Sequence, residues 1–494
     1  MSKVETYLNY SGGEWIECEG QKTFDSYSPS SGELVAKAQD SEVVDVQRAI
    51  EDARKAFDNG PWRSISGKER AAILYRFADL IEDNEEMLGT LIGREMGKPI
   101  RTTMEREVRA AVDRVRFYAG AARMIRGEVT ESAPEYLLNI IRKEPVGVCA
   151  LILPWNDPVE LPIRKLGAAL AAGCTVVVKA ASDCAASTME LFKLIDQIKE
   201  LPKGVVNAIT GKGSVVGEYL AKSPLVDKVS FTGSTETGRR IMELASGNMK
   251  KVSLECGGKA PFILFDDANM EKALDAVKYA SFAYAGQSCS AITRLIIQRG
   301  IHKMFLEKLI AACKTIKLGD PAYSDTMIGP MVSEAQMKKA LDYIEIGKRE
   351  GAKLVYGGYR IEDGELAKGY YVCPTIFDEV SSSMTIAQEE IFGPVLCVIP
   401  FEDEQEAIEI ANSTAFGLQS AIWSSDTNRC LRMISAIEAG DVWVNTYYIR
   451  MSESPYGGIK ESGLGTELGL QGIEEYLVNK RICFDTTPEF HTRY

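Results

Sequence analysis

Val146-Gly-Val-Cys-Ala-Leu-Ile-Leu153 leads through Pro154-Trp155-Asn156 into a helix-like stretch, Pro162–Ala172, and then into Thr175-Val-Val-Val-Lys179. Two apolar runs of strand length separated by one helix form a βαβ unit, in which the strands lie parallel. The alternation continues with a helical Ser187–Lys199, a strand at Val205–Ile209, a helix at Ser214–Ala221, a strand at Lys228–Phe231 and a helix from Thr237. Strands alternating with helices at this spacing predict an α/β fold built on a mostly parallel sheet. A second α/β series begins near Ala260 and runs through Leu295–Gln298, Ile301–Ile316, Ala335–Arg349 and Glu404–Ala411.

Outward from this core the pattern changes. The first 40 residues read as short extended segments punctuated by Gly12-Gly13, Pro29 and Gly32. Ser41–Phe57 and Lys68–Met96 carry apolar residues at helical spacing, and Arg101–Ala122 is a charge-dense helix predicted to be exposed along one side. Tyr136–Ile141 reads as part of a hairpin and Glu475–Phe484 as a last strand.

Composition excludes several functions. The 57 Lys+Arg against 70 Asp+Glu leave a net charge of −13, the wrong sign for a protein that holds phosphate backbones. The longest apolar candidate, Leu166–Val178, is too short and too interrupted for a membrane span. The polar stretch Met1–Tyr10 does not read as a signal peptide. The two histidines, His302 and His491, lie outside every motif found, so Ser-His-Asp and Cys-His catalysis and a metal site are not expected. Eleven cysteines without a Cys-x-x-Cys pair read as reduced thiols in a cytoplasmic protein.

Four segments carry chemistry. In Phe282-Ala-Tyr-Ala-Gly286-Gln287-Ser288-Cys289 small residues give access to a thiol that can act as a nucleophile. In Leu254-Glu255-Cys256-Gly257-Gly258-Lys259 a carboxylate at an apolar strand end is a candidate base. Asn156 follows a strand, where its amide is either a turn residue or a donor to an oxyanion. Phe231-Thr232-Gly233-Ser234-Thr235-Glu236-Thr237-Gly238 passes from strand through glycine to helix, the arrangement that offers backbone N–H groups to phosphate. A second glycine turn, Gly211-Lys-Gly213-Ser-Val-Val-Gly217, imitates a dinucleotide fingerprint with its last spacing one residue too long.

In this order the four segments resemble the aldehyde dehydrogenase superfamily. So do Glu389-Glu390-Ile-Phe392-Gly393-Pro394, Val442-Trp-Val-Asn445 and Pro455-Tyr456-Gly457-Gly458-Ile-Lys460-Glu-Ser462-Gly463, and the resemblance extends over essentially the whole chain. It implies a Rossmann-like NAD(P)-binding domain (1–123 and 146–257), an α/β catalytic domain (258–458) and bridging segments (124–145 and 459–494) that join subunits into a dimer or homotetramer. It further implies that Cys289 attacks an aldehyde, that Asn156 and the Cys289 N–H hold the oxyanion, and that Glu255 activates the water that hydrolyses the thioester to the acid. Relatives that form acyl-CoA generally lack that base. A CoA-acylating semialdehyde dehydrogenase and a non-catalytic protein of the same fold are the alternatives.

For NAD or NADP the resemblance points to Trp155, Lys179, Ser182, Gly211, Phe231, Gly233, Ser234, Gly238, Glu390 and Phe392. Where the family often has a glutamate to grip the adenosine ribose, this chain has Ser182, which suits a 2′-phosphate better than a carboxylate does. For the aldehyde it points to Leu161, Arg164, Tyr284, Ser288, Ser290, Arg450 and Tyr456, beside Asp157 and Tyr448. The two arginines depart from the pattern of simple aliphatic aldehydes. Either they grip a carboxylate or phenolate on the substrate, or Arg164 pairs with Asp157 or Glu160 and Arg450 faces solvent.

Overall fold

The computed structural model describes residues 4–131 and 133–487. Its organising element is a sheet whose five central strands are β1 (Val148–Ile152), β2 (Thr175–Lys179), β3 (Val206–Ile209), β4 (Lys228–Thr232) and β5 (Lys251–Glu255). They run parallel in the order β5-β4-β1-β2-β3. Asn9–Ser11 and Glu14–Ile16 extend the β3 side antiparallel, and Gly463–Leu464 pairs antiparallel with β5. Every residue of β1, β2 and β4 is buried, because helices cover both faces, and this is why these strands read as unbroken apolar runs. Each such Val or Ile contributes on the order of 1.5–3 kcal/mol on burial.

A second sheet contains β6 (Ala260–Leu264), β7 (Ile292–Gln298), β8 (Thr375–Asp378), β9 (Val395–Phe401), β10 (Gln419–Trp423) and β11 (Asp441–Val444), parallel in the order β8-β9-β7-β6-β10-β11. Lys353–Tyr356 closes its β8 edge antiparallel. The two sheets follow the two α/β series of the sequence.

One expectation changes and two gain detail. Lys68–Met96 is two helices, Gly67–Asp83 and Glu85–Met96. Asn84, at φ −113 and ψ 20, leaves the helical region between them. Leu137–Ile141 belongs to the middle strand of an antiparallel sheet, with Tyr136 in the turn before it: Leu137–Pro145 pairs with Glu128–Val129 on one side, as a hairpin, and with Leu477–Asp485 on the other. The edges of this sheet are therefore Leu477–Asp485 and the two-residue Glu128–Val129. The charge-dense helix ends in α1 (Arg109–Ala122), which buries Arg114 on the same face as Ala111, Val115 and Tyr118. Against it lies α2 (Glu160–Ala172), buried at every position. A helix buried all round must satisfy its charges internally, and α2 does so through ion pairs of Glu160, Arg164 and Lys165.

Candidate active site

In the first sheet the chain winds outward from β1 through β2 to β3, then returns to the opposite side of β1 for β4 and β5. The reversal between β1 and β4 opens a crevice at the carboxyl ends of the strands, where ligands of α/β sheets bind. Asn156 follows β1, Gly233 and Ser234 follow β4, and Glu255 ends β5. All four line one cavity of about 140 Å³, together with Trp155, Cys289, Glu390 and Phe392. Pro154, Thr232, Cys256, Gly257, Gln336 and Lys339 complete the lining.

Cys289 arrives on the loop between the helix Met270–Phe282 and β7. Tyr284, Ala285 and Gly286 are all left-handed, with φ of 58°, 56° and 70°. Side-chain-bearing residues enter this region at a cost, and such strain gathers at functional loops. Gln287 holds the loop in place: its amide donates to the Tyr284 carbonyl at 3.0 Å, and its carbonyl accepts from the Val332 N–H at 2.9 Å. A Cβ on Gly286 would lie 2.2 Å from the Gly393 carbonyl oxygen, and one on Gly258 would lie 2.9 Å from that of Cys289. Glycine is required at both close approaches.

Glu255 is buried, and its Oε2 has no hydrogen-bond partner among the described residues. Burial pushes its pKa well above the ordinary carboxylate range; Glu467 adds to the rise, while Lys165 and Arg164 oppose it. Lys165 is itself ion-paired to Glu467 and hydrogen-bonded to Ser230 at 3.1 Å. The Asn156 side-chain amide donates to Asp157 at 3.2 Å. Burial also pushes the Cys289 thiol up, opposed by the charges of Arg450 and Arg164 and by hydrogen bonds from Tyr456 and Ser290.

Next to this cavity runs a groove of about 640 Å³ lined by Trp155, Lys179, Ser182, Phe231, Gly233 and Ser234. It ends at α3 (Thr235–Ala245), whose first turn is capped by the Ser234 hydroxyl accepting from the Thr237 N–H at 3.3 Å. Thr232 lines both spaces, and its buried hydroxyl has no partner among the described residues. An orphaned hydroxyl beside a helix N-terminus fits a nucleotide lying along the groove. Glu390 is held by the Gly258 N–H at 3.0 Å, and Phe392 packs edge-on against Trp155 at 5.3 Å. Burial lowers the Lys179 ammonium to about 8. Gly211 and Gly238 lie outside the groove lining: a Cβ on Gly211 would meet Val216 and Ser41, and one on Gly238 would meet the Cys256 sulfur. Asp183, Glu218 and Glu236 do line it.

On the other side of the nucleophile loop a pocket of about 190 Å³ is lined by Arg106, Arg114, Asp157, Glu160, Tyr279, Tyr284, Ser288, Tyr448 and Arg450. Leu161 and Arg164 are buried in α2 and do not line it. Arg164 pairs with Glu160 and, at 3.7 Å, with Glu467, not with Asp157. Burial works against the Glu160 charge, but Arg114 and Arg164 outweigh it and hold the carboxyl at about 2. Asp157 is paired with Lys98. Both acids of the pocket are thus neutralised from behind. Arg450 does not face solvent. It is half-buried, donates to the Ser290 hydroxyl, and has no carboxylate partner; its Nε has no hydrogen bond among the described residues. Ser290 and Tyr456 are buried against the Cys289 sulfur.

The sequence reading missed Arg114, Glu467 and Lys165. A signal for Arg114 existed: a charge on the apolar stripe of α1. Nothing local marks Glu467, which meets Lys165 only through the tertiary fold. His302 donates to or accepts from Asp378 at 2.7 Å, with Glu379 beside them, and this group lines none of the three spaces. His491 lies outside the described residues. No described helix is long and apolar enough to cross a membrane.

The model of the aldehyde dehydrogenase family matches residues 15–482. Betaine aldehyde dehydrogenase of Bacillus subtilis is 43% identical over 481 residues, covering 96% of this chain and 97% of the relative. Aldehyde dehydrogenase family 2 member C4 of Arabidopsis thaliana is 41% identical, covering 95% of this chain and 93% of the relative. A crystal structure of the betaine aldehyde dehydrogenase of Staphylococcus aureus in complex with NAD+ superposes with a TM-score of 0.97 at 37% identity, covering 99% of this chain and 96% of that one. The match runs through both sheets, the crevice and the nucleophile loop, and the chain belongs to the aldehyde dehydrogenase family.

Proposed function

We propose that this chain oxidises an aldehyde to the carboxylic acid with Cys289 as nucleophile, Asn156 as oxyanion donor and Glu255 as base. The observation that carries the reading is that these three side chains line one small cavity at the reversal point of the sheet. The Cys289 sulfur attacks the carbonyl carbon. The Asn156 amide and the Cys289 N–H stabilise the oxygen that becomes negative, a contribution worth about 10²–10³ in rate per donor. Bound in the adjoining groove, the nicotinamide nucleotide supplies the hydride acceptor. Glu255 then takes a proton from the water that attacks the thioester, and its burial raises its basicity for that step. A base in this place favours the free acid over an acyl-CoA product, and all three groups together favour an enzyme over a non-catalytic protein.

We infer that NAD+ is the preferred nucleotide. Three carboxylates, Asp183, Glu218 and Glu236, stand in the groove against Lys179 and Arg240, and the Staphylococcus aureus relative was solved in complex with NAD+. The Lys179–Ser182 corner admits NADP+ as the second choice. For the aldehyde, Arg450 supports a substrate with a carboxylate or phenolate at its far end, since a guanidinium without a carboxylate partner in a pocket is incomplete. Betaine aldehyde, for which the Bacillus subtilis relative is named, carries a fixed positive charge that Arg450 repels.

We further propose residues 1–123 and 146–257 as the nucleotide-binding unit, 258–458 as the catalytic unit, and 124–145 with 459–494 as the segments that join subunits in a cytoplasmic dimer or homotetramer. Support for the last comes from Leu477–Asp485, whose outer edge pairs with no other described strand and suits a second copy. The test is NAD(P)H formation with neutral, cationic and carboxylate-bearing aldehydes, each nucleotide in turn, with Cys289→Ala as blank. Turnover of the anionic aldehydes that vanishes in the variant is expected. No turnover of any aldehyde would overturn the activity, and a preference for cationic aldehydes would overturn the substrate class.

A further inference from the structure

The Cys289 sulfur sits at one corner of a triangle of polar atoms. Tyr456 Oη lies 3.6 Å from it, Ser290 Oγ lies 3.7 Å from it, and the two oxygens are 3.5 Å apart. Tyr456 is 4% exposed, and its hydroxyl has no other partner among the described residues. Two guanidinium groups lie over its ring, Arg164 at 4.8 Å and Arg450 at 5.2 Å from the centroid. Stacked cations fix the ring and draw electron density from it, which makes its O–H a better donor. Arg450 also gives an N–H to Ser290 Oγ. That oxygen is committed as an acceptor there, which leaves the Ser290 proton free to turn toward the sulfur. Tyr447 donates to the Ser290 carbonyl at 2.6 Å and anchors the backbone.

We propose that Tyr456 is a further catalytic group of this chain: its hydroxyl donates to the Cys289 sulfur and holds it as the thiolate, with Ser290 as second donor and Arg450 positioning Ser290. The inference rests on the reading of Cys289 as nucleophile. The thiol proton leaves to water, and Tyr456 and Ser290 keep theirs. Hydrogen bonds to a charged acceptor are the strong ones, and both donors lie where burial alone would disfavour the charge. Burial likewise holds the Tyr456 phenol well above its ordinary range, so it remains a donor when the sulfur ionises.

The test follows alkylation of Cys289 by iodoacetamide against pH in the full chain, without aldehyde or nucleotide, with the labelled residue identified by peptide mass spectrometry. The inflection of that profile reads the thiol itself, whereas the limiting rate also depends on intrinsic nucleophilicity. Tyr456→Phe keeps the ring under the guanidinium groups and removes one oxygen; it is expected to move the inflection up by about one to two pH units. Ser290→Ala is expected to move it up by less. A purely structural role for Tyr456 would lower Tm and leave the inflection in place, and that result overturns the proposal. Should Tyr456→Phe fail to fold, an unmoved inflection in Ser290→Ala overturns it instead. Because no aldehyde enters the assay, failure to turn over any aldehyde refutes the activity without touching this measurement.

Discussion

Replacing Arg450 by Gln tests the substrate reading directly. Gln keeps a polar group that can still donate to Ser290 while removing a pocket cation that has no acid behind it among the described residues; Arg106, the other such cation, lies over the Tyr279 ring. In the structure Arg114 is committed to Glu160, Lys98 to Asp157, and Arg450 to a neutral hydroxyl alone. A charge-assisted hydrogen bond to a substrate carboxylate contributes about 1.5–3 kcal/mol, which corresponds to a factor of about 10–150 in kcat/KM. The pocket is open enough that Arg450 is only half-buried, so solvent screening places the effect toward the lower end. The assay is kcat/KM for a carboxylate-bearing aldehyde and for a neutral aldehyde of similar length, in wild type and variant. Any effect that Arg450 has on the sulfur through Ser290 strikes both substrates equally and cancels in their ratio. We expect that ratio to fall at least about 10-fold. A ratio that stays constant while both values change would show that Arg450 serves the nucleophile and not the substrate, and the acidic-aldehyde reading would fail.

Three further outcomes follow from the geometry. Asn156→Ala should lower kcat by about 10²–10³ with little change in KM, read in steady-state assays, since its amide acts on the developing oxyanion. Glu255→Gln should leave a burst of one NADH per active site followed by a steady rate slowed by about 10²–10⁴, because the acyl-enzyme forms but water lacks its base. Glu160 is ionised in the fold with a carboxyl held at about 2, below the ordinary 4.5. Its contribution to stability is therefore complete above pH 4.5 and is lost as pH falls toward 2; a urea midpoint that falls less steeply over that window in Glu160→Gln would confirm it.

How far the sequence foretold this molecule depends on how local each determinant is. Val176–Val178 announced a buried parallel strand because the residues are apolar without alternation, and the order of strands and helices did the rest. Cys289, Glu255 and Asn156 were legible since each lies at a strand end or glycine turn, places where a polar side chain needs a reason. Of the two readings of Arg164, the pair with Glu160 is the one the fold makes: helical spacing sets that neighbour, and the packing of α2 between the sheet and α1 turns the side chain inward to Glu467 as well rather than toward the substrate. Tyr136–Ile141 reads as part of a hairpin, but alternation along one strand does not tell that Leu477–Asp485 pairs with its other side. Gly211 and Gly238 answer to close packing, against Val216 and the Cys256 sulfur.

The glycine contacts around the nucleophile loop have an evolutionary consequence. Gly286 is seated on Gly393, and Gly258 on the Cys289 carbonyl, so the strand end that carries Glu255, the loop that carries the sulfur and the loop that carries Phe392 behave as interlocked parts. A side chain added at either seat would displace all three. The facing wall, residues 445–456, is tied in mainly through side chains such as Tyr447, Tyr448 and Arg450. Mutation can therefore sample new preferences on that wall one side chain at a time, while the reactive half is inherited as a block.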